Sequence, residues 1–88
     1  MSQWEKLIAA ILTKNPNLRF EDLCKALSRI GYQVEQPGGG SSHFTFRKAN
    51  AIPVTLPKKR TPMDKIYVDL VAQAIAQYLS EEASQNET

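Results

Sequence analysis

The segment GGGSSHFTFRK at residues 38–48 decides how this chain folds, because a glycine-rich turn gives way there to an alternating strand. Phe44 and Phe46 lie two residues apart, so a strand places both aromatic rings on one face of a sheet. We expect that face to be buried in the core. The opposite face of the same strand would carry His43, Thr45 and Arg47.

Two further short strands are predicted on either side of this segment. Residues 32–36 alternate between Gly31 and a turn at residues 37–40, and residues 52–56 alternate after a connection at residues 48–51. Three strands joined by tight turns favour an antiparallel meander with one face packed on helices. The expected core face carries Val34, Phe44, Phe46, Ile52, Val54 and Leu56. The expected open face carries His43, Thr45, Arg47 and Thr55.

Apolar residues at three- and four-residue steps predict helices over residues 3–14, 20–30 and 62–79. A capping box of Ser2 with Glu5 opens the first helix, and a second box opens the third, with Pro62 at its first position. Gly31 is a natural left-handed stop for the second helix. The first helix either completes the core or forms an oligomer contact, and the sequence does not decide between these.

The predicted fold is therefore α+β, with a three-stranded antiparallel sheet and helices packed on one face. The chain of 88 residues suits one domain, which we place at residues 1–79. Within it, the predicted helix at residues 3–14 precedes elements of order α-β-β-β-α at residues 20–79. The polar segment at residues 80–88 is expected to fray.

Charge is distributed unevenly along the chain. Six of the seven charged residues between positions 47 and 65 are basic, whereas all four that follow are acidic. A basic centre of this kind indicates an anionic ligand. No apolar run is long enough to span a bilayer, and the first residues lack a signal-peptide pattern, so we expect a cytoplasmic protein without a membrane partner.

The composition predicts neither a metal nor another cofactor. One histidine and one cysteine, Cys24, leave only carboxylates as further ligands, and these carboxylates do not converge in the sequence. Cys24 lies on the apolar stripe of the second helix, which is typical of a small buried side chain.

His43 is the candidate for chemistry, because imidazole transfers protons near neutral pH. On an open sheet face it could take the proton of a ribose 2′-hydroxyl, while Arg47 and the basic turn at residues 58–60 bind phosphates. The second proton-transfer group stays open between water, Ser42 and Lys48. A surface histidine without chemistry is the alternative interpretation of His43.

Three stretches together resemble the HicA family of small toxins: LSRIGY at residues 27–32, GSSHF at residues 40–44 and IPVTLP at residues 52–57. The similarity covers roughly residues 20–79. It implies a fold like a double-stranded-RNA-binding domain, messenger-RNA interferase activity without a metal, and neutralisation by a HicB-like antitoxin. The family's catalytic histidine follows its glycine-serine element, which assigns that role to His43.

This chain departs from the family in having two serines between Gly40 and His43 and no second histidine after the third strand. The N-terminal helix at residues 3–14 is an addition to the family core at residues 20–79. The resemblance as a whole predicts that this protein is the toxin of a type II toxin–antitoxin system. Such a toxin would be an endoribonuclease that cleaves messenger RNA with a single histidine. A non-catalytic RNA-binding module and a protein-interaction domain are the alternatives. RNA sequence preference and oligomeric state are not predicted. The predicted substrate-binding residues are Gly40, Ser41, Ser42, Arg47, Lys48, Lys58, Lys59 and Arg60.

Overall fold

Helices and strands follow one another in the predicted order in the computed structural model, which describes residues 2–35 and 43–85. The helices are α1 (Gln3–Leu12), α2 (Phe20–Arg29) and α3 (Lys65–Gln85), and the strands are β1 (Gln33–Glu35), β2 (His43–Arg47) and β3 (Val54–Pro57). The α+β architecture, with helices packed against an antiparallel sheet, is confirmed.

The three strands form a meander with β2 in the centre. Both neighbours pair antiparallel with β2, and Phe46 lies opposite both Val34 of β1 and Val54 of β3. On the other face Thr45 lies opposite Glu35 and Thr55, and its hydroxyl oxygen is 3.3 Å from that of Thr55. This register separates a core face from an open face, because strand side chains alternate.

The core lies between this sheet and the helices. Phe46 of β2 and Leu56 of β3 are fully enclosed together with Leu23 and Leu27 of α2 and Ile75 of α3. Phe44 is half-buried, and its ring centroid lies 5.4 Å from that of Phe20 at the start of α2. The predicted burial of the two strand phenylalanines is therefore correct.

Helix α1 completes the core, which resolves the choice that the sequence left open. Ile11 is completely buried, and Trp4, Leu7 and Ile8 pack against the same apolar cluster. The helix contacts both α2 and α3, and Lys14 Nζ lies 3.0 Å from the carboxylate of Asp69 on α3. The Ser2 hydroxyl accepts the backbone N–H of Glu5 at 3.1 Å, so the predicted cap is present.

Helices α1 and α2 are both terminated by a residue with a positive φ. Gly31 has a φ of +105°, and the N–H of Tyr32 then donates to the carbonyl of Leu27. Lys14 adopts a φ of 59°, and the N–H of Asn15 donates to the carbonyl of Ala10. Each is a left-handed helix stop, and only the glycine one is visible as such in the sequence.

Helix α3 begins later and ends later than predicted. It starts at Lys65, so Pro62 is not its first residue, and the first carbonyl that accepts a helical hydrogen bond is that of Asp64. The N–H of Met63 donates instead to the carbonyl of Leu18 at 2.7 Å, which attaches the segment before the helix to the α1–α2 connection. The helix continues to Gln85, past the predicted end at residue 79.

Two residues of the expected core face are not buried. Val34 is 48% exposed because β1 is a three-residue edge strand. Ile52 is 84% exposed because it precedes β3, in a connection that Asn50 turns with a φ of 64°.

Within the described ranges, none of the helices has the length and apolar character needed to cross a bilayer.

Candidate nucleic-acid interface

His43 is the first residue of β2 and is exposed on the open face of the sheet. Its position follows from the burial of Phe44 and Phe46, since a shift of one residue would turn the histidine towards the helices. The strand register sets His43 directly opposite Pro57, the last residue of β3. The basic turn at residues 58–60 begins at the next position. The histidine and the turn therefore share one edge of the sheet, the edge formed by the first residue of β2 and the last residue of β3.

The basic turn lines a cavity of about 610 Å³ at this edge. The turn contributes Lys58, Lys59 and Arg60, and the start of α2 contributes Arg19 and Glu21. One Nη of Arg19 donates to the backbone carbonyl of Arg60, 41 residues away in the sequence. Four cationic side chains therefore surround one opening, with a single carboxylate among them.

Lys59 is the most constrained of these cations. Its Nζ lies 2.7 Å from the Asp64 carboxylate just before α3, and this hydrogen bond raises the pKa of Lys59 above its ordinary value. Lys59 thus stays charged, but one of its three N–H donors and its positive charge are already paired with Asp64. Lys58 and Arg60 are exposed.

Arg47 lies at the far end of β2, about 14 Å along the strand from His43 at the usual rise per residue. Its Nε is 2.6 Å from a carboxylate oxygen of Glu35 on β1, and both side chains are largely exposed. Arg47 is therefore on the predicted face, but the structure brings it together with an acidic partner and not with the histidine.

Lys48 lies on the helix side of the sheet. Its ammonium group is 4.9 Å from the ring centre of Tyr78 and 5.9 Å from that of Tyr32, which are cation–π distances. Its methylene groups also pack beside Gly31. This position separates Lys48 from the open face that carries His43.

The other predicted binding residues, Gly40, Ser41 and Ser42, lie outside the described residues. Among residues 2–35 and 43–85, no group of three or more histidine, cysteine, aspartate or glutamate side chains could hold a metal ion. Cys24 is half-buried against the core, and burial, followed by the charge of Glu21, raises the pKa of its thiol to about 11. A thiol with that pKa is a poor nucleophile at neutral pH.

Arg19 and Glu21 are the residues of this edge that the sequence did not indicate. They lie next to the predicted start of α2. There the sequence indicates only that Glu21 interacts favourably with the helix dipole, and Arg19 belongs to no recognisable sequence pattern. Only the tertiary contact between Arg19 and Arg60 reveals the cavity. No local signal in the sequence could have found it.

The fold is a small α+β domain with a helix-backed antiparallel meander. Its exposed histidine is paired with Pro57, the residue directly before the turn that lines the basic cavity. Comparisons with protein-family models, with curated proteins and with solved structures gave no match for this chain.

Proposed function

We propose that this protein is a ribonuclease toxin of the HicA kind, a messenger-RNA interferase that works in the cytoplasm without a metal. The observation that supports this proposal best is the pairing of His43 with Pro57, which sets the one histidine of the chain next to the basic turn at residues 58–60. Proton transfer and phosphate binding need groups of these two kinds side by side.

In the proposed reaction His43 takes the proton of a ribose 2′-hydroxyl. The 2′-oxygen bonds to the adjacent phosphorus and the bond from phosphorus to the 5′-oxygen breaks, which leaves a cyclic 2′,3′-phosphate and a 5′-hydroxyl. Nearby cations stabilise the negative charge that develops on the phosphate oxygens. The 5′-oxygen takes its proton from water or from Ser42, because the ammonium group of Lys48 lies among tyrosine rings on the other side of the sheet.

Replacing His43 with alanine tests this proposal. We expect His43→Ala to lower the rate of RNA cleavage by at least about 100-fold, the usual contribution of a general base, and to abolish growth arrest. Far-UV circular dichroism should not change, since His43 is exposed. Gln33→Ala, on the same open face, is the matched control and should cleave normally. Undiminished cleavage by His43→Ala would sink the proposal.

A non-catalytic RNA-binding module is the second candidate, and the cavity with four cationic side chains favours it equally. This candidate predicts salt-sensitive RNA binding without cleavage products. His43→Ala would then bind RNA as the parent protein does. The cleavage assay therefore separates the two functions.

A further inference from the structure

The basic cavity has walls that are held in place before any ligand arrives. One Nη of Arg19 donates to the carbonyl of Arg60, and the N–H of Met63 donates to the carbonyl of Leu18 at 2.7 Å. The backbone N–H of Arg19 in turn donates to the carboxylate of Asp22 at 2.9 Å. These bonds link the start of α2 to the β3–α3 connection, so the opening between them has a defined shape.

Arg19 is the side chain in this cavity best suited to an oxyanion. A guanidinium carries five N–H donors in a planar fork, and the bond to Arg60 uses one of them while fixing the plane of the group. The remaining donors match two oxygens of a phosphate. Arg19 also immediately precedes α2, whose first turn adds a partial positive charge.

The charge balance of the cavity favours an anion even after its internal pairs are counted. Lys59 is neutralised by Asp64, and Glu21 offsets one more cation. The Asp22 carboxylate, which accepts from the backbone N–H of Arg19, offsets a further cation. One positive charge is therefore left over among Arg19, Lys58 and Arg60, which corresponds to the charge of one phosphodiester. Lys58 lies closest in sequence to Pro57, the residue opposite His43.

We propose that this cavity is a binding site for a phosphate group, with Arg19 and Lys58 as its ligands. The source of the phosphate is the backbone of an RNA strand, and this part of the inference rests on the proposed function. A strand that presents one phosphate to Arg19 and Lys58 has its neighbouring nucleotide at the edge where His43 is exposed. The cavity then selects which phosphodiester lies next to the histidine.

The test uses an RNA oligonucleotide with 2′-O-methyl groups, which blocks the proposed cleavage, and measures binding by fluorescence anisotropy. Arg19→Gln and Lys58→Ala should each weaken binding about tenfold, the effect of losing one charge-assisted contact. Each should also reduce the slope of log K against log salt by about 0.7, the value for one phosphate contact on a single strand. Lys6→Ala, on α1 and away from the cavity, is the charge-matched control and should bind as the parent does.

Lys58 is exposed and not part of the links between the walls, so Lys58→Ala tests the site even where Arg19→Gln fails to fold. A titration with inorganic phosphate, followed by NMR at the Arg19 and Lys58 amides, separates the two sources of the ligand. Phosphate-induced shifts without RNA binding support the cavity as a phosphate site and overturn RNA as its source.

These measurements distinguish failure of the proposed ribonuclease function from failure of the proposed phosphate site. Loss of RNA binding in both cavity variants supports the site even where the parent protein cleaves no RNA, an outcome that overturns only the ribonuclease. Cleavage by the parent with unchanged binding in both variants overturns the site and leaves the ribonuclease standing.

Discussion

The burial of two titratable side chains, Cys24 and Tyr32, makes the stability of this protein depend on pH in alkaline solution. Burial raises the pKa of the Cys24 thiol from 9.0 to about 11, and burial, followed by the charge of Glu81, raises the pKa of the Tyr32 hydroxyl above its ordinary value. Both groups are neutral when protonated. The folded state therefore holds their protons to a higher pH than the unfolded chain does.

We expect the free energy of unfolding to fall as the pH rises from 9 towards 11. In this interval the unfolded chain has released the Cys24 proton and the folded chain has not, and a folded state that binds more protons loses stability as pH rises. The contribution is complete below pH 9. Urea unfolding at a series of pH values measures the fall, and Cys24→Ala should make it smaller. An equal fall in that variant would assign the effect to other groups.

At the scale of single elements, the periodicity of apolar residues correctly predicted which face of a strand is buried. It did not correctly predict where α3 and β3 begin. The two-residue step of Phe44 and Phe46 correctly indicated which face of β2 is buried. The predicted start of α3 at residue 62 was wrong: the helix begins at Lys65, and the N–H of Met63 before it bonds to Leu18, more than forty residues earlier in the chain. Ile52 continued an alternating pattern in the sequence, but β3 begins only at Val54.

Helix α1 offers a matched pair of variants that tests its role in the core. Ile11 is completely buried, whereas its neighbour Leu12 is 41% exposed. We expect Ile11→Ala to lower the free energy of unfolding by about 2–5 kcal/mol, the range for large-to-small changes in a core. Leu12→Ala should cost about 1 kcal/mol, because Leu12 keeps 41% of its surface in water and its truncation leaves no closed cavity. Similar losses in both variants, measured by urea unfolding, would contradict the assignment of α1 to the core.

The ion pair between β1 and β2 makes a prediction about RNA affinity. Glu35 holds the Nε of Arg47 at 2.6 Å on the open face of the sheet. In the proposed function Glu35→Gln releases Arg47 and removes a negative charge from that face, so RNA binding should tighten by a few-fold at low salt. Stability should change little, because exposed ion pairs contribute about 0–1 kcal/mol.

Glu5→Gln on α1 is the control for this variant, because it removes the same charge from another exposed position. Anisotropy with the 2′-O-methyl oligonucleotide gives the affinities. Weaker RNA binding by Glu35→Gln than by Glu5→Gln would show that the ion pair itself supports the interface.

Across the whole molecule, the candidate site combines segments that the sequence keeps far apart. The sequence alone indicated His43, Arg47 and the basic turn, because strand alternation and clustered charge are local patterns. It could not show that Arg47 is bound to Glu35 or that Lys48 lies between two tyrosine rings, because these partners depend on which strand and helix become neighbours. Arg19 was missed for the same reason.

Under the proposed toxin function, an inhibiting partner should bind at the edge that joins His43 to the basic turn. A HicB-like antitoxin that covers the basic turn at residues 58–60 would cover His43 as well, because His43 is paired with Pro57, the residue directly before that turn. Since the chain has one histidine, carbethoxylation followed at the absorbance of modified imidazole reports on this residue alone. We expect the free protein to react readily, because His43 is exposed, and the complex to react at least about tenfold more slowly. An unchanged rate in an inhibited complex would mean that the partner acts without covering the histidine.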